Sequence, residues 1–402
     1  MSNPTPQGTA KQMSQHDLSN QQGKPREEGA AQSSQSGSRG VLIHEWIEPR
    51  GGAEKVLDAL AETFPKAPIR ALWNDAPQRY ETGRVTESWL ASTRLRRSKS
   101  LALPFMETAW RNMGNSEAEW ILASSHLFAH HARFSGPAAD AKRYAYVHTP
   151  ARYLWEPDLD VRGQSKVLQA AAVPFKQLDF RRAQSLDKIA ANSEFVKQRI
   201  ARCWHRDSTV IYPPVDVSAF TSSLLDELSG AERDLLDSLP ADFVLGASRF
   251  VPYKKLDTVI DLGAAARVPV VLAGSGPGEE FLRSYAQESE AEVHFILSPS
   301  HALLRELYAR AIAYVFPPVE DFGIMPVEAM ASGTPVIANA VGGARESVVH
   351  EQTGYLLESF DPVSAREAVD ALSSINRGAC VERARSFAPE RFKSEIQEWV
   401  AA

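Results

Sequence analysis

The chain has 402 residues, 44% of them hydrophobic and 23% charged, with a formal net charge of −6. Its length suits two domains of about 150–200 residues better than one core, and its charge excludes a global basic field for nucleic acid. No apolar run is long enough to span a membrane, the first residues lack an apolar signal core, and two cysteines (Cys203 and Cys380) exclude a disulfide framework, so a reduced cytosolic protein is expected.

Residues 1–38 are rich in Gln, Ser and Gly. They have too little apolar surface to offset the entropy of ordering, and a disordered tail is expected. The run Val41–Ile43 reads as a buried parallel strand. The loop with Gly51 and Gly52 follows, and then Val56, Leu57, Leu60, Ala61 and Phe64 recur at helical spacing. Strand, glycine loop and helix make a βα unit. Strands are expected again in 120–126 and 143–150, a strand leading into a helix in 188–203, and a strand in 209–216. The last of these ends in Pro213 and Pro214, which extend neither sheet nor helix and mark a domain joint. The βα pattern then restarts. Strands are expected in 242–250, 268–276, 292–297, 313–318 and 334–340, with helices in 256–266, 279–289, 302–311 and 325–333. Residues 388–402 read as a terminal helix. The expected architecture is α/β: two Rossmann-like halves, 39–213 and 214–385, facing each other across a cleft, with 386–402 as a closing helix.

In open parallel sheets, ligands bind beyond the carboxyl ends of the strands. In the second half those ends carry Arg249 and Lys254, the glycines Gly274, Gly276 and Gly278, the acids Glu320 and Glu328, and the pair Gly342 and Gly343. Two cations on one loop suit a diphosphate. The alternating glycines are not a G-x-G-x-x-G fingerprint, and the next strand ends without an acid, which counts against a dehydrogenase. Pro326 suits the first position of a helix and so puts Glu328 in the first turn, while Gly323 lets backbone approach a ligand closely. Carboxylates beside a phosphate site repel phosphate but accept hydrogen bonds from hydroxyls. A sugar joined to a diphosphate satisfies both the cations and the acids.

The stretch EDFGIMPVE (320–328) resembles the E-x7-E motif of the retaining glycosyltransferases of family 4, which have the GT-B fold. The resemblance runs over about residues 40 to 400. It includes GGAEKVL, YVHTPARYLW, ANSEFVKQRI, VIYPPVD, SRFVPYKKLD and LAGSGP in the family's order. The wording is most similar to bacterial enzymes that use GDP-mannose to build surface polysaccharides. The resemblance implies that Arg249 and Lys254 hold the donor diphosphate, Glu328 the ribose hydroxyls and Glu320 the hydroxyls of the transferred sugar. It places His148 against the donor sugar and the Gly51-Gly52 loop against the phosphate or acceptor. Gly274, Gly276, Phe322, Gly323 and Ile324 line the donor side, and the last helix returns across the first domain. Relatives often carry a Trp-Asp pair where this chain has Leu178 and Asp179.

Front-face substitution without a cofactor or metal is the expected route. The D-x-D triplet of Asp158 and Asp160 reads as a chance match in a Pro-flanked loop. His126 and His130, four apart but with no H-E-x-x-H, read as helix surface or first-domain packing. Arg94, Arg96, Arg97 and Lys99 precede an apolar run to Phe105, which fits peripheral contact with anionic lipid and an acceptor that is a glycan or polyprenyl-linked. Two rival readings are a related transferase using a UDP- or dTDP-sugar and a silent nucleotide-sugar sensor.

Overall fold

The computed structural model describes residues 39–156, 166–220 and 224–402, with 166–172 described as backbone alone. The expected tail, 1–38, lies outside the described residues. Among the described residues, thirteen strands form two sheets. The first holds β1 (Gly40–His44), β2 (Ile69–Ala71), β3 (Val85–Glu87), β4 (Trp120–Ser125), β5 (Lys142–Val147), β6 (Lys188–Ala191) and β7 (Thr209–Val210). The second holds β8 (Val244–Arg249), β9 (Val270–Ser275), β10 (Val293–Leu297), β11 (Ala313–Phe316), β12 (Val336–Asn339) and β13 (Gly354–Leu357). The orders are β3-β2-β1-β4-β5-β6-β7 and β10-β9-β8-β11-β12-β13, and every pairing is parallel. Strands β2, β3 and β13 have three or four residues each, too few for a period to show in the sequence.

Each sheet is covered on both faces, which is why its strands read as unbroken apolar runs. Along β1, Val41 and Ile43 enter one core and Leu42 enters the other. Along β8, Leu245 and Val244 divide in the same way. The strand order reverses between β1 and β4 and again between β8 and β11, and it is beyond the carboxyl ends at such a reversal that open parallel sheets bind ligands.

The chain crosses between the sheets twice. At the crossing, the Val215 N–H donates to the Phe387 carbonyl at 2.9 Å. The final helix, Pro389–Ala401, then lies on the first sheet rather than the second. Phe392, Ile396 and Trp399 pack with Leu42, Tyr146 and Ile211, and Lys188 donates to the Trp399 carbonyl at 3.0 Å.

Candidate active site

On the second domain, Arg249 is the last residue of β8, and its guanidinium donates to the Tyr253 hydroxyl at 2.9 Å. Lys254, a turn later, makes an ion pair with Glu320 in the loop after β11. Gly343 N–H donates to the Glu320 carbonyl at 2.7 Å, and a Cβ on Gly343 would lie 2.3 Å from the Asp321 oxygen. The second glycine of the pair is therefore what lets that loop sit down. Gly274 and Gly276 also have a packing reason: a Cβ would lie 1.8 Å from the Ser248 oxygen or 2.6 Å from the Phe250 oxygen, in the turn that carries Arg249.

The helix after Gly323 begins two residues before Pro326, the expected first position. It runs Ile324–Ala331, and Gly323 is its N-cap at φ 87°, in the left-handed region. Pro326 is the third helical residue, where a missing N–H still costs nothing. Glu328 is therefore the fifth, beyond the first turn, and the helix dipole is not what holds it. Its carboxylate is nearly buried and is met by Lys55 of the first domain at 2.8 Å. Phe322 also departs from expectation. Its ring is buried against Tyr212 and Phe387, at 5.8 and 5.5 Å between centroids, so its side chain serves the core rather than a ligand. Ile324 reaches the other domain: a Cβ on Gly52 would come within 3.0 Å of its Cδ1.

The two domains are tied beside this loop. Asp321 receives Arg152 at 2.9 Å and the buried Arg199, which also donates to Thr149 at 2.7 Å. Ser193 donates to the Asp321 carbonyl. Glu346 accepts from the N–H groups of Glu194 and Phe195 at 2.7 and 2.9 Å, so a second-domain acid caps a first-domain helix, Glu194–Trp204.

In the first domain, His44 ends β1, Ser124 is the last residue but one of β4, and His148 follows β5 by one residue. Ser124 Oγ joins the two rings, at 3.1 Å from His44 Nδ1 and 2.9 Å from His148 Nε2. Burial, with His126 and His44 nearby, lowers the His148 pKa to about 3, and burial lowers that of His44 to about 4, so both are neutral. The next residue, Glu45, is a functional candidate that the sequence reading missed. Its Oε1 accepts from the N–H groups of His126, Leu127 and Ala129 at 3.1, 2.8 and 2.9 Å, and its Oε2 lies 3.1 Å from His126 Nδ1. Burial alone would raise its pKa, but His126 and those N–H groups hold it well below the carboxylate range. Burial opposes the charge on His126, and Glu45 outweighs it, raising that pKa.

His130, in the short 3₁₀ helix Ala129–His131, is buried in a second polar network of the first domain, as packing rather than exposed helix surface. Asp179 Oδ1 lies 3.0 Å from His131 Nε2 and 3.1 Å from His130 Nε2, and its Oδ2 accepts both the Trp155 and Trp204 indoles at 2.7 Å. His131 Nδ1 meets Glu107 at 2.7 Å. The ligand atoms of His130, His131 and Asp179 lie within 4.8 Å of one another, so among the described residues these three could share a cation. Asp158 and Asp160 fall outside the described residues.

The basic stretch forms a 3₁₀ turn, Arg94–Arg97, and a helix, Lys99–Arg111. Arg96 pairs with Asp75 and Lys99 with Glu48, while Leu101 and Phe105 stand 65% and 45% exposed. Among the described residues, no helix is long and apolar enough to cross a membrane.

Two family models match the chain in tandem: Glycosyltransferase Family 4 over residues 50–219 and Glycosyl transferases group 1 over residues 235–388. The chain belongs to the family 4, group 1 glycosyltransferases. The D-inositol 3-phosphate glycosyltransferase of Jonesia denitrificans is 29% identical over 52% of this glycosyltransferase and 50% of its own length. A GDP-mannose-dependent phosphatidylinositol monomannoside mannosyltransferase of Mycobacterium tuberculosis is 28% identical over 54% and 57%. The chain thus matches little more than half the length of these curated relatives. Anabaena HepE in complex with UDP-glucose superposes with a TM-score of 0.65 at 20% identity, covering 90% of this chain and 99% of HepE. At that identity the likeness speaks for the fold, which is GT-B.

Proposed function

We propose that this glycosyltransferase moves a hexosyl group, with retention, from a nucleoside diphosphate sugar to a hydroxyl of a glycan or polyprenyl-linked acceptor. The observation that carries the reading is a set of groups at the strand ends: Arg249 ends β8, Lys254 just after it pairs with Glu320, and Glu328 pairs with Lys55 of the first domain, near Gly52. In this reading Arg249 and Lys254 take the diphosphate, Glu328 the ribose and Glu320 the sugar. GDP-mannose is the preferred donor, supported by the wording of the motifs and by the mycobacterial relative. A UDP-sugar is the rival, since HepE is complexed with UDP-glucose.

A double displacement needs a free carboxylate at the anomeric carbon. Glu320 is engaged by Lys254 and serves hydroxyls instead. The acceptor hydroxyl attacks on the face the diphosphate leaves, and a leaving phosphate oxygen takes its proton. The cations stabilise charge growing on that oxygen, so no metal is called for on this route. His148, neutral and oriented by Ser124, offers a hydrogen bond to the sugar without a competing charge. Leu101 and Phe105, next to Arg94 and Arg97, would rest on an anionic membrane that carries the acceptor.

Turnover of GDP-, UDP- and dTDP-sugars, with and without acceptor glycolipids, tests the reading. Arg249→Ala, Lys254→Ala and Glu320→Ala should each lower transfer by about 10²–10³. Any one of them with wild-type activity leaves the site. Donor binding without turnover on any acceptor would make the protein a sensor.

A further inference from the structure

The two acids of the donor cluster are each met by a lysine, and the two lysines come from different domains. Lys254 and Glu320 both belong to the second domain. Glu328 is held from across the cleft by Lys55, 273 positions away in the chain. Its side chain is only 9% exposed, whereas that of Lys55 is 47% exposed. A nearly buried carboxylate needs a partner for its charge, and Lys55 reaches out of its own domain to be that partner. It stands in the first turn of the helix Gly52–Thr63, whose N-cap, Gly51, offers no side-chain cap. The start of that helix is also where Gly52 meets Ile324.

We infer that Lys55 is the first-domain cation for the donor diphosphate, parked on Glu328 until the nucleotide arrives. The inference rests on the function proposed above. In that reading the ribose hydroxyls take over Glu328, and a nucleotide's phosphates lie next to its ribose. Glu328 then accepts hydrogen bonds from the ribose hydroxyls, and the displaced ammonium is left between that carboxylate and the incoming anion. The charge balance favours the same assignment. Each acid repels a diphosphate, Lys254 offsets Glu320, and among the described residues the cation paired with Glu328 is Lys55, while Arg249 donates to Tyr253. Lys55 offsets that acid and, being on the opposite domain, makes firm holding of the diphosphate depend on closure of the cleft.

The test is calorimetric binding of GDP, UDP and dTDP, and of the corresponding monophosphates, to wild type, Lys55→Met and Lys55→Arg. A charge-assisted contact predicts that Lys55→Met weakens the diphosphate that binds best by about 10- to 100-fold. The same variant should leave the matching monophosphate within about threefold, and Lys55→Arg should recover most of the loss. Equal weakening of diphosphate and monophosphate would make Lys55 a strut between domains and overturn the assignment. Unchanged binding of both would overturn it too, while leaving the proposed function standing. Failure of every diphosphate to bind wild type would sink the proposed function itself, and this inference with it.

Discussion

His44 and His148 share one hydroxyl, that of Ser124, and burial keeps both imidazoles neutral. That neutrality has a consequence for stability. In the unfolded chain a histidine takes a proton near its ordinary value of 6.5, but folded His44 waits until about 4 and His148 until about 3. Between about pH 6.5 and 4 the unfolded state binds more protons, so stability falls as pH falls. His126 and His131 have raised pKa values, so their contribution is complete below 6.5 and lost only on going higher; they do not oppose the fall. Glu45 and Asp179 join the loss at still lower pH. His44 alone corresponds to on the order of 3 kcal/mol. The urea midpoint of wild type should drop steadily from pH 6.5 to 4.5, and His44→Gln should flatten the slope. A level wild-type profile over that range would contradict the buried neutral pair.

The helix Lys99–Arg111 has an inward face, Ala102, Met106, Ala109 and Trp110, that joins the first-domain core. Its outward face is what a monomer seldom shows: Leu101 and Phe105, one helical turn apart and exposed. Of the four basic residues before Leu101, Arg96 and Lys99 are paired with carboxylates, while among the described residues Arg94 and Arg97 have no ion pair. These two are the charges available to a lipid surface, each worth about 1 kcal/mol there. Sedimentation with phosphatidylserine vesicles should therefore weaken by roughly 10-fold or more in Arg94→Ala/Arg97→Ala. It should be abolished when Leu101→Ser and Phe105→Ser are added, and hardly changed in Arg96→Ala. Equal binding by wild type and the four-fold variant would remove the membrane from the proposed function.

At the scale of the molecule, two sheets with separate cores are tied by several contacts, and the loop after β11 carries one of them. Asp321 follows the sugar-side acid Glu320 and takes Arg152 and Arg199 from the other domain. Arg199 is 2% exposed and keeps Glu156, at 3.5 Å, when Asp321 is removed. Breaking a buried pair by truncating one partner costs about 3–5 kcal/mol, and the remaining partner brings the expectation for Asp321→Ala to about 3. Urea unfolding reads this directly. A loss below about 0.5 kcal/mol, the range of ordinary surface substitutions, would show that the strut carries little of the stability. Transfer should fall as well, because Glu320 shares the loop and loses its tether.

Much of the fold was legible because its signals are local. Apolar runs of buried parallel strands, helical spacing such as Val56–Leu60–Phe64 and the crossing prolines Pro213 and Pro214 show within a dozen residues. The spacing of Glu320 and Glu328, with Arg249 and Lys254, was equally readable. The start of the helix at Ile324 was missed because Pro326 is a visible signal, while the left-handed turn at Gly323 that sets the start depends on the loop packing around it. Phe322 could be placed in the motif, but its stacking on Tyr212 and Phe387 could not be seen. Glu45 with His126, Lys55 with Glu328 and Arg199 with Asp321 are separated by 81 to 273 positions. No period or motif links them. By itself the sequence determined the alternation of strands and helices and the residue types at the strand ends, since both follow from short-range geometry. Only the tertiary structure decided which charge meets which, because burial and closure of the cleft choose those partners.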